Sequence, residues 1–292
     1  MQDFSYIAAK TIPEAVALLD EKGESARILA GGTDLIVQVR EARRDVDLMI
    51  DVKSIPEVNV LNYNDNAGLT LGAAVECYKI YADDAICNAY PGLIDATQII
   101  GGTAIQGRAA VGGNLCNASP AADGIPPLIV LKASCVIAGP NGEREVPVEQ
   151  FCTAPGQTVL GKGEMLVSIK IPVPESNSSS FYLRFIPRNE MDIAVVGAGA
   201  SVVLDAAKQT IVSARIALAA VAPTPLFAEE ASALLAGQEV SDEAIDAAAE
   251  AAKAIARPIS DMRGTAEQRT HLVGVLTRRA LNGAIQRVRD AA

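Results

Sequence analysis

Ile28-Leu29-Ala30-Gly31-Gly32-Thr33-Asp34-Leu35 reads as the end of a buried strand, a sharp turn and the opening of a helix. Residues 26–30 supply the short apolar strand, and 33–40 carry apolar side chains at helical spacing. Glycine has no Cβ, so the backbone can bend tightly and press its N–H groups against an oxyanion. The unpaired amides and positive dipole end of the following helix favour phosphate there. Thr33 adds a hydroxyl donor or caps that helix. A second glycine pair lies in Ala110-Val111-Gly112-Gly113-Asn114, followed by Leu115-Cys116-Asn117-Ala118-Ser119-Pro120-Ala121-Ala122-Asp123. It matches no ordinary cap or hairpin pattern. Two such loops in one domain can grip a diphosphate from two sides, which points to a dinucleotide cofactor. Asp123 is placed to accept hydrogen bonds from a ribose or from backbone, or to cap a helix before Pro126-Pro127. Asn114 and Asn117 double as turn formers.

The rest of the chain limits the alternatives. Its 292 residues are half apolar, enough for two or three compact units. Trp is absent, so alanine, valine and isoleucine do most of the packing. A net charge of −10 argues against nucleic acid and against an anionic membrane surface. No segment approaches the roughly 20 apolar residues of a membrane span, and Met1-Gln2-Asp3-Phe4-Ser5-Tyr6 lacks the basic and apolar regions of a signal peptide. A cytoplasmic location is the expectation. Cys77, Cys87, Cys116, Cys135 and Cys152 form no C-x-x-C pair and read as reduced thiols, not as a zinc or iron–sulfur site. The single histidine, His271, falls in a predicted C-terminal helix and suits a surface or interface role. A catalytic triad or a multi-histidine metal site is therefore excluded. Glu145, Glu149 and the acids at 229–230, 242–243 and 250 form no convergent pair.

Along the chain, Thr11 caps a predicted helix with Pro13 in its first turn, stopped by Gly23. Residues 48–52 are a strand, and a small βαβ-like lobe ends near Pro56. Then come a strand at 69–74, helices at 76–88 and 91–99, and a helix from Asp123 through Leu131. A strand and turn at 136–142 and a strand at 165–171 complete this part. Glu175-Ser176-Asn177-Ser178-Ser179-Ser180 is the best linker. Strands at 181–185, 194–204 and 211–221 precede helices at 226–235, 242–255 and 266–288, an α+β order. Ile193-Ala194-Val195-Val196-Gly197-Ala198-Gly199-Ala200-Ser201 imitates a dinucleotide fingerprint. It lacks the third glycine and runs into β-branched Val202-Val203, so it reads as a buried strand.

The two loops together with Arg188, Met191-Asp192-Ile193-Ala194, Ala222-Pro223-Thr224-Pro225 and Asp261-Met262-Arg263 resemble the FAD-binding (medium) subunits of molybdenum hydroxylases over nearly the whole chain. That family includes xanthine dehydrogenase, aerobic carbon monoxide dehydrogenase and nicotinate dehydrogenase. Gly107-Arg108-Ala109-Ala110 replaces the Arg-Asn that often precedes the family's second loop, a change that leaves backbone contacts possible. The clustered-cysteine insert of 4-hydroxybenzoyl-CoA reductase is missing. Thr33-Asp34 leans toward the xanthine dehydrogenase branch. The resemblance implies an α+β protein. A two-lobed FAD-binding domain of the vanillyl-alcohol-oxidase (PCMH) type spans 1–174, with lobes of about 1–56 and 57–174. After a linker at 175–180 comes an α+β domain of strands then helices over 181–292. It implies that Ile28, Leu29, Ala30, Gly31, Gly32, Thr33, Asp34 and Leu35 hold FAD together with Ala110, Val111, Gly112, Gly113 and Asn114. Asn117 and Asp123 assist, Ile100 and Leu166 line the flavin region, Arg184 approaches the cofactor and Asp192 stands near the isoalloxazine. By the same resemblance, molybdopterin sits on a large partner subunit and [2Fe–2S] clusters on a small one, with NAD a candidate electron acceptor. A self-contained FAD-dependent oxidase or reductase and a flavin-free scaffold subunit are the alternatives.

Overall fold

The computed structural model describes residues 3–188 and 191–291. The chain begins with three short parallel strands, β1 (Ser5–Ala8), β2 (Ala26–Leu29) and β3 (Leu48–Asp51), in the order β1-β3-β2. Parallel pairing needs crossovers, and α1 (Ile12–Lys22) and α2 (Leu35–Arg40) lie in them. The predicted start of α1 holds: Thr11 Oγ1 accepts the Glu14 N–H at 3.3 Å. Its end holds too, at Gly23 with φ of 58°. Ala15, Val16 and Leu19 of α1 are buried with Ile50 and Val52.

The second lobe is built on an antiparallel sheet of β4 (Leu61–Asn64), β5 (Gly68–Gly72), β6 (Ser134–Gly139), β7 (Gly142–Pro147) and β10 (Met165–Ile171). Its order is β4-β5-β10-β6-β7. A separate hairpin joins β8 (Cys152–Ala154) to β9 (Gln157–Thr158). Short helices fill the middle: α3 (Cys77–Tyr81), α4 (Asp84–Ala89), α5 (Pro91–Thr97), α6 (Thr103–Gln106), α7 (Val111–Asn117) and α8 (Ile125–Val130). The single helix expected at 76–88 is split. The Asp83 carboxylate accepts the Ala85 and Ile86 amides at 3.0 and 3.1 Å, which starts a new helix.

The C-terminal sheet follows sequence order: β11 (Ser178–Phe185), β12 (Val196–Leu204), β13 (Ile211–Ala219) and β14 (Leu226–Phe227). After it come α9 (Glu229–Ala233), α10 (Asp242–Ile255) and α11 (Ala266–Asp290). Two expectations change here. The helix read from 226 starts later, because Leu226 and Phe227 pair with Leu218 and Ala217. Pro223 and Pro225 favour the extended approach to that pairing. The serine run is not wholly linker, since β11 begins at Ser178 and the Ser180 hydroxyl oxygen accepts the Gly92 N–H at 3.1 Å.

This sheet is covered on both faces. Ala198, Ala200, Val202 and Leu204 of β12 share a core with Ile245 of α10 and Leu281 of α11. Gly199 and Ser201, on the opposite face, meet α8. A Cβ at Gly199 would stand 3.3 Å from the Pro126 carbonyl carbon, and Ser201 donates to the Val130 carbonyl at 2.8 Å. The Gly-x-Gly of β12 is thus a packing device, as its sequence context indicates.

Arg287 of α11 clamps the two parts together. Its Nη1 and Nη2 donate to Asp95 of α5 at 2.7 and 2.8 Å, and Nη1 also donates to the Ser180 carbonyl at 2.7 Å. The guanidinium lies 4.3 Å from the Phe181 ring centroid. Hydrogen bonds to charged groups contribute about 1.5–3 kcal/mol each when part-buried. Arg287→Ala is expected to remove about 2 kcal/mol and lower the thermal midpoint by roughly 4–8 °C, read by circular dichroism. An unchanged midpoint would show the clamp to be idle.

Candidate functional site

The first glycine turn sits at the C-terminal end of β2. Ile28 and Leu29 are strand residues paired with Ile50 and Asp51, and Ala30 to Asp34 form the turn. Gly32 has φ of 76°, a left-handed conformation in which a side chain is strained. The Ile36 N–H bonds the Gly32 carbonyl at 3.1 Å, so the amides of Thr33, Asp34 and Leu35 precede the first intrahelical bond. Of the two roles open to Thr33, the cap is not the one it takes. The capping position is Asp34, in a helical conformation with no side-chain capping bond.

The second glycine pair corrects the sequence reading more strongly, because it is no bend. Val111-Gly112-Gly113-Asn114 is the first turn of α7, and Ala110 is its capping residue. Asn114 N–H donates to the Ala110 carbonyl at 2.9 Å, which leaves the amides of Val111, Gly112 and Gly113 ahead of the first intrahelical bond. The two segments are therefore alike: each presents three leading amides of a short helix.

They also touch. A Cβ on Gly31 would stand 2.0 Å from the Arg108 carbonyl oxygen and 3.2 Å from Ala109 Cα, so the first turn lies directly on the peptide that leads into α7. Arg108 Nε reaches the Gly31 carbonyl at 3.3 Å. Farther along the helices, Gln38 Nε2 of α2 donates to Asn117 Oδ1 of α7 at 3.0 Å, and Arg44 Nε donates to Gln38 Oε1 at 2.7 Å. Gly112 is held close to β5's exit, where a Cβ would stand 2.5 Å from Ala73 Cα.

Gly113 differs from its neighbours. A Cβ there would meet nothing within 4 Å, and its φ lies outside the left-handed region. Neither crowding nor conformation within the protein accounts for glycine at this point of a helix, where alanine would be more stable by about 1 kcal/mol. The backbone of α7 is thereby left open to close approach from outside the chain. The donor set, two rims of amides with the exposed cation of Arg108 beside them, suits a diphosphate. The residues present thus fit the diphosphate of FAD.

Asp123 is not a helix cap, because Gly124 occupies that position of α8. The Gly124 N–H donates to Asn114 Oδ1 at 3.1 Å, which ties the Asp123 loop to α7. Tyr182 Oη donates to Asp123 Oδ1 at 2.7 Å, and Arg184 Nη1 donates to Asp123 Oδ2. Asp123 is 6% exposed and Tyr182 3%. Burial pushes the Asp123 carboxyl up, opposed by the Arg184 guanidinium. The Tyr182 phenol is held far above its ordinary range by burial and by the Asp123 charge. Crowding by protein atoms also raises the Asp34 carboxyl, although that residue reaches solvent.

The remaining expected contacts lie as follows. Ile100 and Leu166, 8% and 5% exposed, pack in the hydrophobic core of the second lobe. Asp192 is anchored between Arg188 Nε at 3.3 Å and Arg263 Nε at 3.7 Å. Cys116, on α7, is half-buried, and the protein packed around its thiol pushes it up to about 12, which makes it a poor nucleophile. Among the described residues no group of three or more His, Cys, Asp or Glu is arranged to hold a metal, and no helix is long and apolar enough to cross a membrane.

Sequence reasoning missed Gln38, Tyr182 and the open position of Gly113. Tyr182 had a signal, because it lies two residues before Arg184 on a strand and so shares its face. Gln38 had none.

Known proteins match this chain along its length. The pattern of the FAD binding domain in molybdopterin dehydrogenase fits residues 2–174, and that of the CO dehydrogenase flavoprotein C-terminal domain fits residues 181–284. The carbon monoxide dehydrogenase medium chain of Hydrogenophaga pseudoflava is 33% identical over 281 residues, 96% of each chain. The xanthine dehydrogenase FAD-binding subunit of Escherichia coli O157:H7 is 29% identical over 287 residues, 98% of this chain and 97% of that one. Relatives of both the carbon monoxide and the xanthine dehydrogenase type are thus represented. In solved structures, the carbon monoxide dehydrogenase from Hydrogenophaga pseudoflava that lacks the Mo-pyranopterin moiety superposes with a TM-score of 0.94 at 32% identity, covering 98% of each chain. Quinoline 2-oxidoreductase from Pseudomonas putida 86 gives 0.89 at 27% identity, also covering 98% of each.

Proposed function

Because this chain belongs to the FAD-binding subunits of the molybdenum hydroxylase family, we propose that it holds the FAD diphosphate between the amides of residues 31–35 and 111–114 and serves as the electron-transfer flavoprotein of a three-part complex. The observation that carries this reading is the open glycine of α7, on a helix whose leading peptide lies against the first glycine turn.

When bound, FAD supplies the exchange of electrons between one-electron carriers and a two-electron acceptor. The chain's own residues bind and orient it. The leading amides of α2 and α7 neutralise the diphosphate from two sides, with Arg108 adding a full positive charge where the segments meet. Asn117 has its oxygen engaged by Gln38, so its amide NH₂ is the group it can offer. Asp123 keeps spare lone pairs for ribose hydroxyls, and Arg184 keeps N–H donors beyond the one given to Asp123. We assign the FAD-binding domain to 1–174 and the C-terminal domain to 181–292.

In this reading, a large molybdopterin-binding partner oxidises the substrate and a small [2Fe–2S] partner relays electrons to this subunit. NAD⁺ or another acceptor then removes them, in the cytoplasm. Reduced, unpaired cysteines and the lack of a metal-holding group among the described residues suit a chain whose metals belong to partners.

The purified full chain tests this. Visible flavin bands, NADH–dye activity at most, and no turnover of organic substrates are expected. A preparation that stays colourless after FAD is added would favour the scaffold, and turnover of an organic substrate by the isolated chain would favour a self-contained oxidase.

A further inference from the structure

We propose that Tyr182 is a positioning residue that keeps the buried Asp123–Arg184 pair from closing on itself and so leaves its free donors and acceptors for the cofactor; this rests on the reading of Asp123 as a cofactor contact. An arginine facing a carboxylate alone tends to close on it with two parallel N–H···O bonds. Here that fork is not formed. Arg184 gives Asp123 one bond, Nη1 to Oδ2, while Oδ1 is taken by the Tyr182 hydroxyl at 2.7 Å. With the hydroxyl holding the carboxylate at this rotation, the guanidinium meets Oδ2 alone, and its other N–H groups remain for a further acceptor. The carboxylate is likewise fixed in rotation, with spare lone pairs on both oxygens.

The hydroxyl can do this because it has nowhere else to go. The Tyr182 ring is buried, and its oxygen stands 2.5 Å from where a Cβ on Gly197 would be. The Tyr182 backbone N–H donates to Asp95 Oδ2 at 3.0 Å, and Asp95 is itself gripped by Arg287. Tyr182 and Arg184 face the same side of β11 because they are two residues apart. On the other side, Asp123 is fixed through the Gly124 to Asn114 bond, so its position is registered to α7. The C-terminal sheet thus sets the geometry of a group that belongs to the other domain.

The test uses the full chain, stripped of FAD and titrated with FAD, in four forms: unchanged, Tyr182→Phe, Asp123→Asn and the double variant. Tyr182→Phe keeps the ring and removes only the hydroxyl. The dissociation constant is expected to rise about tenfold in each single variant and to rise no further in the double variant, as for residues acting through one group. The visible circular dichroism of bound flavin is expected to change in Tyr182→Phe, which loss of packing alone would not cause. Gly197→Ala, which crowds the hydroxyl and leaves its chemistry intact, is expected to reproduce the weakening. If Tyr182→Phe binds FAD within twofold of the unchanged chain while Asp123→Asn does not, the positioning role is overturned. If Asp123→Asn also binds normally, the reading of Asp123 as a cofactor contact falls with it.

Discussion

Gly113→Ala is expected to yield a chain that folds at least as well as the original and holds FAD about 30-fold more weakly, a difference of about 2 kcal/mol. The two effects have separate origins. Inside α7 the new methyl meets nothing within 4 Å, and its φ needs no glycine. The intrinsic preference of a helix for alanine over glycine, about 1 kcal/mol, then works in favour of the apoprotein. Its thermal midpoint should rise by roughly 2–4 °C if that preference is expressed in full. In the holoprotein the same methyl occupies space against which the diphosphate is proposed to lie, and crowding of this kind costs about 1–3 kcal/mol. Fluorescence titration with FAD and melting of the apoprotein measure both. An affinity equal to that of the unchanged chain would mean that no cofactor group approaches α7 at this point.

Gly31→Ala is expected to behave in the opposite way, destabilising the apoprotein itself by about 3 kcal/mol or more as well as abolishing FAD retention. Its methyl would lie 2.0 Å from the Arg108 carbonyl oxygen and 2.7 Å from the carbonyl carbon. Both are backbone atoms, so no rotamer change can relieve the clash. The turn after β2 and the peptide before α7 must separate, and with them the two rims of amides. The apoprotein midpoint should fall by roughly 6–12 °C. A melting curve like that of the unchanged chain would show that the two lobes are not in close contact here. Two glycines that look equivalent in sequence thus act with opposite signs on the empty protein, and only one of them is explained by the protein alone.

What could be read from sequence was local. The strand, Gly31-Gly32 and α2 follow one another within a few residues, and propensity and turn chemistry identify them directly. Thr11 as a cap and β12 as a strand in place of a nucleotide fingerprint were legible for the same reason. The second glycine segment was recognised as unusual but not as helix, because two glycines among six short helices give no helical signal of their own. Gly112 is instead fitted against Ala73, a contact remote in sequence. Partners remote in sequence were out of reach. Asn117 meets Gln38 across 79 positions and Asp123 meets Tyr182 across 59, so both asparagine and aspartate looked freer than they are. Ile100 and Leu166 came from resemblance, and the fold places both in a hydrophobic core.

The twice-covered sheet has a consequence for dissection of the molecule. Comparison divides the chain near residue 180, yet Gly199, Ser201 and Arg215 of the later part are fitted to Pro126, Val130 and Ile129 of the earlier one. A fragment made from residue 181 onward would leave that surface wet and would sever β11 after three of its eight residues. It should be recovered as aggregate, whereas the same residues supplied as part of the intact polypeptide should be soluble. Modules that can be recognised separately are here expected to resist being transplanted or crystallised separately.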